Sequence, residues 1–111
     1  MKRIFHPGGS VLTGSELADA VLLYAAALSG RSQFDLVDIP IIGDDGTHGR
    51  AQFQIGSVGQ LVSVTALAAP IELIEPATTE MLHRMAADEY ARVPSGLADD
   101  PQFAQLDEFD Y

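Results

Sequence analysis

The sequence predicts an α+β fold: a small antiparallel sheet of three or four strands, arranged as a meander and packed by an N-terminal helix, with a second helix near the C-terminus. Three observations carry this reading. Residues 14–29 repeat apolar side chains at helical spacing, residues 34–67 hold apolar runs separated by glycine turns, and residues 79–92 return to helical spacing. The chain has 111 residues, room for one modest core that a second copy would help to complete.

The elements follow in order. KRIFH (2–6) reads as a short first strand, and Pro7-Gly8-Gly9 as a turn leading toward the first helix. Thr13 and Glu16 have the spacing of a capping box, and Leu17, Ala20, Val21, Tyr24, Ala25 and Leu28 form a helical stripe. Gly30 is expected as the left-handed residue that ends this helix. With Leu22, Leu23 and several alanines added, the helix is apolar nearly all round, so burial on two sides is expected, the second facing another subunit.

FDLVDIPII (34–42) reads as a strand, but Pro40 cannot donate to a ladder. The strand is therefore expected to be an edge, to carry a bulge, or to break there. RAQFQI (50–55) alternates with Ala51, Phe53 and Ile55 inward and Arg50, Gln52 and Gln54 outward. GSVG (56–59) reads as a turn and QLVSVTAL (60–67) as the third strand of the meander, followed by a short extended IELI (71–74). In the second helix, expected at 79–92, Leu82, Met85, Ala86 and Tyr90 form the apolar stripe, with Val93 just beyond. Glu80 and Arg92 would complement its dipole. Residues 1–96 are expected to form one domain and 97–111 an acidic tail.

Composition narrows the function classes. Sixteen acidic residues against six basic ones give a formal charge of −10, which opposes direct binding to nucleic acid or to an anionic membrane and favours solubility or a partner with a basic surface. The chain has no cysteine, which excludes thiolate catalysis, zinc–cysteine sites and disulfides and fits a reducing compartment. No apolar segment follows the basic residues at the start, so no signal peptide is expected and the cytoplasm is the default location.

The densest group of chemically capable residues is GDDGTHGR (43–50). Asp44, Asp45, His48 and Arg50 could form a ligand site, but the aspartates are adjacent and no glutamate closes a calcium loop. Asp45-Gly46 between two apolar runs is instead a hairpin signal, and the turn is the favoured reading. His6, His48 and His83 show no zinc spacing, and the glycines before the first helix match no phosphate-binding loop. No catalytic residue, metal site or cofactor is expected. In the tail, Phe103, Leu106 and Phe109 alternate with acidic residues. Together with Asp107, Glu108 and Tyr111 they form a candidate partner-binding element.

The function expected is a non-enzymatic, homodimeric, cytoplasmic protein-binding module: an adaptor, a chaperone-like protein or a regulatory subunit. The alternative is an acidic mimic of nucleic acid that inhibits a DNA- or RNA-binding protein. A lower alternative is a small enzyme or ligand-binding domain with a dimer-cleft site built from Tyr24, Asp38, His48 and Arg50.

Overall fold

A computed structural model describes residues 1–57, 59–66 and 71–92. The elements are β1 (Lys2–His6), β2 (Gly9–Thr13), α1 (Ser15–Ser29), β3 (Phe34–Ile42), β4 (His48–Gly56), β5 (Val62–Thr65) and α2 (Pro76–Ala91). The fold is α+β. Its strands form one antiparallel sheet in the order β4-β3-β2-β1-β5. Helix α1 lies across β1, β3, β4 and β5, and α2 packs on α1 as a third layer.

The sheet has five strands, against the three or four expected, because Gly9–Thr13 pairs with β1 through a turn at Pro7-Gly8. Gly9 and Ser10 are poor strand formers, so this segment reads locally as loop. The expected meander is also only partly right. β3 and β4 form a hairpin, but β5 crosses to the far edge and pairs with β1.

The sheet consists of two ladders joined by a thin seam. β3 pairs with β4 along nine residues, from Phe34↔Gly56 to Ile42↔His48, without interruption at Pro40. β2 meets β3 at the single register pair Leu12↔Ile42. A buried hydrogen bond from Thr13 Oγ1 to the Pro40 carbonyl (2.7 Å) continues the seam. Toward β2, then, β3 is nearly an edge, which is how it tolerates a residue with no N–H.

The core lies between the sheet and α1. Ile4, Leu17, Ala18, Ala20, Val21 and Ile39 are fully buried. The two-sided burial expected of α1 occurs within one chain: its second face meets α2 through Leu82, Ala86 and the half-buried Met85, not another subunit. α2 therefore packs on α1 and does not cover the sheet.

Both helix starts differ from expectation. Thr13 ends β2 and no capping box forms; Gly14 is the N-cap of α1, with no side-chain cap of its own. The Glu72 carboxylate fills the role by accepting from the Ser15 N–H and from the Met1 ammonium (2.7 Å). α2 begins at Pro76, three residues early, because proline suits the first helical turn. Glu80 then falls beyond the first turn, and Arg92 is the C-cap. The shifted helix buries Thr78, Leu82, Ala86 and Glu89 and leaves Tyr90 54% exposed. At the end of α1, Gly30 stays right-handed, and the left-handed residue is Ser32 at φ 55°. The tail at 97–111 lies outside the described residues.

Candidate binding surface

Residues 43–47 make a tight reversal. Gly46 N–H donates to Gly43 O (2.9 Å), Gly43 N–H donates to Thr47 O (2.8 Å), and Gly46 adopts φ +84°. This is a three-residue loop closed by a left-handed glycine. Asp45 fastens it, accepting from the Thr47 hydroxyl (2.6 Å) and the Thr47 N–H (3.1 Å), and these bonds hold its carboxyl below the usual range. Asp45 thus serves the turn. Among the described residues no three His, Asp or Glu side chains gather where they could hold a metal ion.

Arg50 serves a different structure, on the sheet face away from α1. Its Nε donates to Asp38 (2.6 Å) and its Nη1 to Glu75 (3.1 Å), while Gln52 Nε2 donates to the other Asp38 oxygen (2.9 Å). Hydrogen bonds from Gln52 and Arg50 lower the Asp38 carboxyl, and those from Arg50 and Thr78 lower Glu75. The network ties the N-cap of α2 to the β3–β4 hairpin. Asp44 and His48 instead line a concavity of about 520 Å³ with Arg3, Leu12, Ile42 and Leu73. The four candidate residues of this loop therefore divide among three jobs.

Tyr24 lies on the opposite side of the sheet from Arg50. Its hydroxyl donates to Asp35 (2.5 Å) at a smaller concavity of about 260 Å³ that also involves Met85, Asp88, Glu89 and Arg92. Burial, then the hydrogen bond and charge of Asp35, push the phenol far above its ordinary range. Glu89 is buried and held by Arg31 and Arg92, each at 2.8 Å. The arrangement locks the end of α1 to α2. The burial of Glu89 went unread in the sequence, although its spacing from Leu82 and Ala86 puts it on the same helical face. Of Tyr24, Asp38, His48 and Arg50, only Asp38 and Arg50 come together.

Segment 71–75 lies against the outer face of the sheet near β2 and β3, and the part of that face left uncovered by the described residues is at β1 and β5. Phe5, Val62 and Val64 are each about half exposed there, with Phe5 opposite Val62 and Arg3 opposite Val64 in register. Phe34 and Leu36 are also exposed, at 62% and 56%, but at the opposite end of the sheet from this patch. Clustered apolar side chains on one sheet face are unusual for a surface with no partner. No described helix is long and apolar enough to cross a membrane. Comparison with protein-family models, with curated proteins and with solved structures found no match.

Proposed function

We propose that the protein is a non-enzymatic, cytoplasmic binding module that works as a homodimer and docks a second protein on the outer face of its sheet. The roles that fit are adaptor, chaperone-like protein or regulatory subunit. One observation carries the reading: Phe5, Val62 and Val64 form an apolar patch on a face that the chain's own core does not use. The partner fits as a protein with a basic surface, because a net charge of −10 attracts such a surface at long range while the apolar patch supplies contact. The tail, with Phe103, Leu106, Asp107, Glu108, Phe109 and Tyr111, fits as a second docking element.

Capture experiments with the full chain test this. The double variant Phe5→Ser/Val62→Ser and a deletion of 97–111 should each reduce recovery of a basic partner, and recovery should fall as salt rises. An unchanged set of captured proteins in both variants would overturn the reading.

A further inference from the structure

The homodimer in that reading needs an interface, and α1 does not provide one, because its second face is spent on α2. We infer that two copies join edge to edge through β4, antiparallel about a two-fold axis at Gln52, to make one continuous sheet across the dimer.

The hairpin geometry fixes which backbone groups are available. Gly43 N–H bonds to Thr47 O, so that pair is of the hydrogen-bonded kind. Pairs of this kind alternate along an antiparallel ladder. With the observed register, Gly49, Ala51, Phe53 and Ile55 therefore direct their N–H and C=O groups toward β3. His48, Arg50, Gln52, Gln54 and Gly56 direct theirs outward. Pro40 fits this parity: opposite Arg50, it sits where no donor toward β4 is required, and its carbonyl is free to meet Thr13 on the other side. Among the described residues no hydrogen bond reaches the outward groups of His48, Arg50, Gln52 or Gln54.

An unpaired strand of nine residues is normally guarded by lysine, proline or a projecting charge. β4 has no lysine, no proline and no acidic residue. Its one charge, Arg50, is already matched by Asp38 and Glu75. In a chain of net charge −10, β4 itself adds no carboxylate to the junction, and the nearest ones, Asp38 and Glu75, are held by Arg50 on the outer face of the sheet. The opposite edge, β5, is four residues long and offers less than half the ladder.

Self-complementarity then selects the register. With Gln52 opposite its own copy, all nine residues overlap and about eight backbone hydrogen bonds close the junction, the Gly56 carbonyl being already taken by the Gly59 N–H. Arg50 faces the partner's Gln54, so no like charges oppose each other. Toward the core, Phe53 faces the partner's Ala51 and Ile55 the partner's Gly49, large against small at each pair. Centring on Arg50 would instead set two guanidiniums opposite each other, and centring on Gln54 would shorten the overlap.

Because the chain has no cysteine, single cysteines read this register directly. Gln52→Cys places two sulfurs across the axis, at a Cα separation of about 5.5 Å that a disulfide accepts. Gln54→Cys places them four residues apart along the strands, about 13 Å, which a disulfide cannot bridge. Under mild oxidation Gln52→Cys should form a covalent dimer and Gln54→Cys should not. In sedimentation velocity the unaltered chain should run at twice the chain mass, and Gln52→Pro, which removes one outward donor but no bond to β3, should shift to monomer with its circular dichroism retained. A monomeric unaltered chain would overturn this interface and the homodimer with it, leaving partner docking to stand or fall on the capture experiment. A dimer in which Gln52→Cys stays reduced, or Gln54→Cys cross-links as readily, would overturn this interface alone.

Discussion

The two faces of the sheet are drawn from the same strands and treated oppositely. Facing α1, Ile4, Val37, Ile39, Phe53 and Ile55 are no more than 7% exposed. Facing outward, Phe5, Leu36, Val62 and Val64 are 44–56% exposed. Both sets are apolar, so hydropathy alone does not separate them. What separates them is that α1 covers one face, whereas on the other the described residues leave these side chains uncovered. The inner set specifies the fold, and the outer set is available for binding.

The comparison breaks first if the two faces turn out to matter equally for stability. Ile39→Ala should cost about 2–5 kcal/mol, the range for a fully buried aliphatic side chain with a cavity left behind. Leu36→Ala, three positions away on the same strand and facing out, should stay within about 0.5 kcal/mol. Urea denaturation measures both. Equal losses would mean that the outer face is buried by the chain itself.

Gly14→Ala probes how the segment carrying Glu72 is held against α1. An added Cβ would lie 1.7 Å from the Leu73 carbonyl, so the segment must move away and take the Glu72 cap with it. A loss of about 1–3 kcal/mol is expected, with faster amide exchange at Ser15. Thr13→Val tests the seam between the two ladders. It leaves the buried Pro40 carbonyl without its donor, which should cost about 1–3 kcal/mol in the same denaturation assay. If it costs nothing, the helix alone holds the ladders together.

The smallest expected effect is one of pH. Hydrogen bonds from the Met1 ammonium and the Ser15 N–H lower the Glu72 carboxyl to about 2. Its folded value lies below its ordinary one, so its contribution is complete above the ordinary value and is lost as pH falls from there through about 2. Melting temperature followed across that window should fall less steeply in Glu72→Gln than in the unaltered chain. Identical slopes would show that the cap contributes nothing.

Much of the inner face could be read from the sequence because its signals are local. The alternation of Ala51, Phe53 and Ile55, the stripe of α1 and the Asp45-Gly46 turn are each written within a few residues. What escaped depends on distant partners. Nothing near Ser15 announces that a carboxylate 57 residues away will cap the helix. Nothing in β5 says that it will pass β4 and pair with β1. Gly9 and Ser10 become strand only because β1 lies beside them. For the candidate surface, the exposed valines of β5 were visible as an alternation, but which parity faces out depends on that long-range pairing. Pro76 shows the converse: its signal is local, since proline suits the first turn of a helix, and it is the first residue of α2.

Amide hydrogen exchange along β4, followed by NMR at high and low protein concentration, tests most directly whether the uncovered side of the molecule is where it assembles. In the joined state the amides of Arg50, Gln52 and Gln54 should exchange as slowly as those of Ala51, Phe53 and Ile55, and dilution should release the even-numbered set alone. An odd–even alternation that persists unchanged at every concentration would contradict the account, because it would mean that the outward edge of β4 meets only water.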